Sequence, residues 1–152
     1  MKRPQWRAAG IAGILSLLLF ALVPASRATD SIWSGIVLGT NVQPAREQSP
    51  EIVRLHAKLK DVFGYNQFRL IREHTELMDS PVERWLLPGK LFSLKISSAR
   101  KMDLGGYHVH LQIFQEKKML AETEANLGLR SPVFIRGPLF GRGQLVFILL
   151  VR

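Results

Sequence analysis

The sequence predicts an α+β domain in which one N-terminal amphipathic helix packs on a mostly antiparallel β-meander, curled into a small sandwich or half-barrel. Apolar residues recur at helical spacing between residues 50 and 63, and apolar and polar residues alternate in the chain after Tyr65. Glycine and proline turn signals divide that second part into short segments. One helix followed by six or seven strands is therefore expected.

The first 28 residues have the layout of a secretory signal peptide. Three cations precede an uncharged apolar run over residues 8–23, which is followed by Pro24 and small side chains. A basic start, an apolar middle and a small-residue end are the three parts of such a signal. We expect residues 1–28 to be removed by cleavage after Ala25 or Ala28. The protein is then exported, and is periplasmic or extracellular.

The alternative is a retained N-terminal membrane anchor. A spanning helix needs about 20 apolar residues, and this run is slightly shorter. The chain has no cysteine, which excludes disulfides and a lipid-modified N-terminal cysteine. A packed core must therefore supply the stability that disulfides often give to small secreted domains.

Removal of the signal also lowers the positive charge. The whole chain has a net charge of +9, and four of its cations but no acid lie in residues 1–28, which leaves +5. Such a surface suits another envelope protein or an anionic surface. The chain has no basic run interleaved with aromatic residues, so nucleic acid is not an expected partner. Membrane contact is expected only through an uncleaved signal or through loop 136–142.

The next segment, residues 29–48, is predicted to form an N-terminal strand, near residues 36–38, and a linker. Residues 49–152 form a single helix-plus-β domain. Its helix has an N-cap at Ser49, proline at the first helical position and a C-cap at Gly64. The apolar stripe of this helix consists of Ile52, Leu55, Leu59, Val62 and Phe63.

Differences in alternation distinguish the strands that follow. In residues 68–76 the alternation breaks at Leu70 and Ile71, which predicts a bulge, and residues 82–87 form a short second strand. Three strands between residues 92 and 127 each show one polar and one apolar face, as antiparallel strands on one core do. Residues 145–151 are apolar without alternation. This last strand must be covered on both faces, so it belongs in the middle of a sheet.

Metal chemistry has one weak pair of candidates. His108 and His110 lie on one face of a strand and are good ligands for zinc. Glu116 shares their parity but lies too far along a strand that rises ~3.3 Å per residue. A solvated strand face is the favoured interpretation. Glu122 and Glu124 also share a face, and as neighbours they do not flank a cleft as a catalytic carboxylate pair must. No catalytic residue and no cofactor site is predicted.

The segment 136–142 is the most distinctive loop in the sequence. It places Leu139 and Phe140 between Arg136 and Arg142. Apolar side chains at a tip flanked by arginines form a contact for a partner or a membrane surface. The alternative is a hairpin in which Leu139 and Phe140 fold back as a plug over the open end of the core.

These observations favour a small exported non-catalytic binding or scaffolding module of the bacterial envelope. The first alternative is a carrier that holds an apolar or amphipathic ligand between the helix and the sheet, in a pocket lined by Phe92, Leu111 and Ile113. The second is a small metal-dependent hydrolase that uses His108 and His110.

Overall fold

The computed structural model describes residues 29–42, 49–79 and 83–152. The signal segment and its cleavage sites lie outside these residues. Within them the chain forms one helix and eight strands. The elements are β1 (Ser31–Thr40), α1 (Pro50–Phe63), β2 (Gln67–Leu77), β3 (Arg84–Leu87), β4 (Phe92–Lys101), β5 (Tyr107–Gln115), β6 (Lys118–Leu127), β7 (Val133–Phe140) and β8 (Gly143–Val151).

The strands form two antiparallel four-stranded sheets. The first sheet has the order β2-β1-β8-β7, and the second has the order β3-β4-β5-β6. A β-rich fold with one helix is thus confirmed, but the helix is not N-terminal, because β1 precedes it. Only the second sheet is a meander. In the first, β8 returns to pair with β1, a long-range contact that alternation within each strand does not specify.

Eight strands form where six or seven were expected, and segment 136–142 is largely strand. β7 continues to Phe140 and meets β8 at Gly143, with only Gly141 and Arg142 between them. Gly141 has φ +59°, as the first position of a tight hairpin turn requires. Gly137 marks a close approach inside β7. A Cβ atom there would lie 2.9 Å from the carbonyl oxygen of Leu145.

The first sheet is buried on both faces, which gives the molecule three layers. One face packs against the second sheet, and the other packs against α1. β8 lies between β1 and β7 and supplies both interfaces, as the absence of alternation in its sequence predicted. The β8 residues that face the second sheet are Leu145, Phe147, Leu149 and Val151, and those that face the helix side are Val146 and Ile148.

The helix has the predicted caps. The Ser49 hydroxyl accepts a hydrogen bond from the Ile52 amide at 3.4 Å, and Gly64 adopts φ +76° while its amide donates to the Lys60 carbonyl at 2.8 Å. The buried stripe of α1 packs on Trp33, Val37, Phe68, Val146 and Ile148. The one helix among the described residues, α1, is not long and apolar enough to cross a membrane.

The predicted bulge lies in β2. Ile36 pairs with Arg72 and Val37 pairs with Leu70, so Ile71 is the extra residue. Its side chain is exposed and lies at the open end of the sandwich, where it lines a cavity of ≈ 100 Å³. The bulge therefore puts an apolar side chain at the mouth between the sheets.

Candidate functional site

No described element packs on the outer face of the second sheet, and a row of apolar side chains crosses it. Trp85 of β3 pairs with Lys95, Ser93 of β4 pairs with Phe114, and Phe114 pairs with Met119 of β6. These pairings place two aromatic rings on the face that the alternation of β4 and β5 leaves to solvent. Trp85 is 45 % exposed, and its ring centroid lies 5.5 Å from that of Phe114.

The two rings line a cleft of ≈ 490 Å³. This volume falls within the 300–1,000 Å³ that is typical of small-molecule sites. We call it the aromatic cleft, and it is lined by Trp85, Pro88, Gly89, Ser93, Phe114, Glu116 and Lys117.

Ser93 is the polar group at the floor of the aromatic cleft. Its neighbours Phe92 and Leu94 point into the core, so its own side chain points to the outer face. The residue is only 4 % exposed, yet its hydroxyl has no hydrogen-bond partner among the described residues. The hydroxyl oxygen is not itself fully buried, because it is not among the buried unpartnered atoms, and it is open to the cleft that Ser93 lines. A ligand or water in the cleft can supply the missing bond.

Backbone contacts fix the walls of the cleft. Arg72 Nη1 donates to the carbonyl oxygen of Pro88 at 3.0 Å and to that of Phe92 at 3.3 Å. A Cβ atom on Gly89 would clash with the backbone carbonyl oxygen of Phe92 as well as with the Arg72 guanidinium, so glycine is required there. On the other side, the Glu116 amide donates to the Leu91 carbonyl at 2.7 Å. The two turns that border the cleft are therefore joined to each other and to β2.

Charged groups of both signs surround the aromatic cleft. Lys95 Nζ lies 2.8 Å from a carboxylate oxygen of Glu83 and 5.8 Å from the centroid of the Trp85 ring. Glu116 and Lys117 add one charge of each sign at the rim. Arg72 adds a third cation behind Gly89, where its guanidinium donates to two backbone carbonyls.

The histidine pair lies on the same sheet face, farther along β5, and each imidazole has its own partners on β6. His108 Nδ1 is 2.7 Å from Asn126 Oδ1, and its Nε2 is 3.7 Å from Glu124. His110 Nε2 is 2.8 Å from Glu122 Oε1. This last contact does not have the geometry of a hydrogen bond, and His110 Nε2 is a buried atom without a hydrogen-bond partner among the described residues.

The carboxylate beside His110 has a second contact, on β5. Gln112 Nε2 donates to Glu122 Oε1 at 2.8 Å. This hydrogen bond is the main cause that lowers the pKa of Glu122, and His110 lowers it further. Among the described residues, no group of three or more histidine, cysteine, aspartate or glutamate side chains is placed to hold a metal ion. Glu116, the third ligand considered from the sequence, lines the aromatic cleft instead.

The arginine-flanked segment does not present its two apolar residues together. Phe140 makes an edge-to-face contact with Phe92 at 6.1 Å and lines the small cavity between the sheets, as a plug would. Leu139 is 77 % exposed. Arg136 lies 5.1 Å from the Phe63 ring, whereas Arg142 is exposed in the hairpin turn. Of the four residues, Leu139 and Arg142 are the most available to a partner.

The residues expected to line an apolar pocket are core residues. Leu111 and Ile113 are buried between the two sheets, and Phe92 is buried beside Phe140. On the other face of the first sheet, Ile52 and Leu59 of the helix are fully buried against it. The side chains of the helix thus fill the interface that a carried ligand would need.

A second cleft, of ≈ 320 Å³, lies beside the helix and is strongly basic. We call its four cations the basic cluster. Among the described residues, Glu51 is the one acid that lines this cleft, at 2.6 Å from Arg152 and 3.6 Å from Arg54. The basic cluster consists of Arg54, Lys58, Arg130 and Arg152.

Comparison with known proteins found no matching family model, no matching curated protein and no matching solved structure.

Sequence reasoning missed the aromatic cleft, although a signal for it is present. Phe114 directly follows the buried Ile113, and Trp85 directly precedes the buried Leu86. Alternation therefore assigns both rings to the solvent face, where large aromatic side chains are informative because they are uncommon. Ser93 carries no such signal, since serine is an ordinary residue on an exposed face.

Proposed function

We propose that this chain is an exported, non-catalytic binding module that holds its ligand in the aromatic cleft. The observation that carries the proposal is the cleft of ≈ 490 Å³ itself, which is lined by the rings of Trp85 and Phe114 and by Ser93, whose hydroxyl has no hydrogen-bond partner among the described residues. Pockets that bind small molecules combine apolar walls with a few well-placed polar groups, and this cleft has that composition.

The surroundings of Ser93 favour binding over catalysis. A nucleophilic serine needs an adjacent base, most often a histidine, within hydrogen-bond reach. None of the described residues that line the cleft is a histidine, and the one carboxylate among them, Glu116, lies in a turn at the rim. The cleft thus has the groups that orient a ligand and lacks a base for the hydroxyl.

A fragment screen by NMR tests this proposal while the ligand is still unidentified. Small polar ring compounds should shift the indole N–H resonance of Trp85 and leave that of Trp33 unchanged. Trp33 is a built-in control because it is buried and its Nε1 donates to Glu73 at 2.9 Å. Ser93→Ala should lower the affinity of the compounds that bind. Binders that map elsewhere, or a silent Trp85, would contradict the proposal.

The basic cluster supports a second candidate function, which is binding to an anionic surface. Four cations against one carboxylate create a positive potential that attracts anions and is screened by salt. Vesicles that contain phosphatidylglycerol should therefore bind the protein at low ionic strength and release it at high ionic strength. Arg54→Glu with Lys58→Glu should abolish this binding. Arg100→Glu with Lys118→Glu, at exposed cations of the second sheet, is the matched control.

A further inference from the structure

We infer that the ligand of the aromatic cleft is an uncharged saccharide. The inference rests on the binding function proposed above and adds the chemical class of the ligand. It follows from the aromatic walls, from the unused hydrogen-bonding groups and from the presence of both positive and negative charges beside the cleft.

The walls favour a ligand with an apolar, C–H-rich face. Trp85 and Phe114 expose aromatic surface along the cleft, with their ring planes inclined by 55°. The face of an aromatic ring carries negative potential and attracts weakly positive C–H groups. A pyranose ring presents such C–H groups on one face and can stack on either wall.

The polar groups favour a ligand that both donates and accepts hydrogen bonds. The Trp85 indole N–H has no acceptor among the described residues and is a donor only. The Ser93 hydroxyl can do both, and the Glu116 carboxylate accepts. Sugar hydroxyls match this set because each one donates and accepts.

The mixture of charges beside the cleft opposes ionic ligands. An acidic sugar would gain from Lys95 and Lys117, but it would meet Glu83 and Glu116 as well. A quaternary ammonium ligand would be attracted by Glu83 and Glu116, but Lys95 and Lys117 would repel it. An uncharged ligand meets neither repulsion, and the Lys95 to Glu83 ion pair then stays intact beside the Trp85 wall.

A proline-rich peptide is the nearest competitor, since such segments dock in aromatic-lined grooves. A run of prolines has carbonyl acceptors but no N–H donor. Its carbonyl oxygens could accept a hydrogen bond from the Trp85 indole N–H. It has no N–H group to donate to the Glu116 carboxylate. The acceptor in the cleft therefore favours the saccharide.

Titration of the purified protein with defined probes tests the inference. The neutral probes are maltotetraose, cellotetraose and N-acetylchitotetraose, and the contrasting probes are tetragalacturonate and octaproline. We expect at least one neutral tetrasaccharide to bind, with binding followed by the Trp85 fluorescence and by calorimetry. Trp85→Ala should lower the affinity at least tenfold. Ser93→Ala should lower it by about twofold to tenfold, the range for loss of one hydrogen bond.

Controls and outcomes separate the inference from the proposed function. Phe140→Ala removes an exposed aromatic ring outside the cleft and should leave the affinity unchanged. If octaproline or tetragalacturonate binds in a Trp85-dependent way and no neutral tetrasaccharide does, the saccharide inference is wrong and the binding function stands. If neither these probes nor the fragment compounds affect Trp85, both are wrong.

Discussion

Tyr107 and Asp30 show how single residues connect the start of the described chain to the second sheet. The Tyr107 hydroxyl donates to Asp30 Oδ2 at 2.8 Å, and Lys101 Nζ lies 3.4 Å from the same oxygen. Burial raises the pKa of Tyr107 to about 12, and the hydrogen bond and the negative charge of Asp30 contribute in the same direction. The neutral tyrosine is therefore the form that stabilises the fold.

This raised pKa predicts a loss of stability in strong alkali. The folded-state pKa lies above the unfolded value of 10.0, so the contribution of Tyr107 is complete below pH 10 and disappears as the pH rises toward 12. The free energy of unfolding of the parent should converge on that of Tyr107→Phe across this window, as urea titrations can measure. Lys101→Met is the control, and it should retain the pH dependence. A constant gap between parent and Tyr107→Phe would contradict the prediction.

Two buried serines give a matched test of the cleft floor. Ser34 is fully buried and its hydroxyl donates to the Leu86 carbonyl at 2.8 Å, whereas Ser93 is almost as buried and has no partner among the described residues. Ser34→Ala leaves a buried carbonyl without this donor and should lower the free energy of unfolding by ~1–3 kcal/mol. Ser93→Ala should leave stability unchanged or raise it. Equal losses in both variants would show that the Ser93 hydroxyl has a structural role.

The stability of the fold depends on β8. Its side chains contribute to both interfaces of the first sheet, and burial of each large apolar side chain stabilises by about 1.5–3 kcal/mol. Total stability is only ~5–15 kcal/mol. A chain that ends at Gln144 should therefore be insoluble or degraded in expression trials. Leu139→Ser, at an exposed position of β7, should stay soluble, and a folded truncated product would contradict this account.

Local patterns predicted single elements better than their arrangement. The caps of α1, the bulge at Ile71 and the central place of β8 follow from residues that lie close together in sequence. The pairing of β1 with β8 joins residues more than 100 positions apart, and no local pattern specifies it. The sequence predicts a loop at Gly137, because glycine is common in turns. The structure shows instead a strand position where a side chain has no room.

The packing of the three layers determines which sheet face is available for binding. The first sheet is covered by α1 on one side and by the second sheet on the other, so the second sheet keeps the one uncovered face among the described sheets. The aromatic cleft and the histidine pair both lie on that face. The sequence predicted the histidines there, but it did not predict that their neighbours on β6 would give each its own partner.

The proposed export can be tested separately, by the mass of the recovered chain. The protein recovered from its native compartment should have the intact mass of a chain that starts at Ser26 or Thr29, because signal peptidase cleaves after small residues. Mass spectrometry of the envelope fractions measures this directly. A membrane-bound species that still contains Met1 would instead identify residues 1–28 as an anchor.

Removal of the two histidines separates binding from metal chemistry on the uncovered face of the second sheet. His108→Ala with His110→Ala removes two imidazoles that are 35 % and 33 % exposed. Little stability should be lost, because the His108 pair is partly exposed and the buried His110 Nε2 has no hydrogen-bond partner among the described residues. The double variant should keep its melting temperature and its affinity for the ligand of the aromatic cleft. Trp85→Ala should keep its melting temperature and lose its affinity for that ligand. Zinc analysis of the parent completes the experiment. Stoichiometric zinc that is lost with the histidines, together with loss of activity, would identify a metal centre and overturn the non-catalytic proposal.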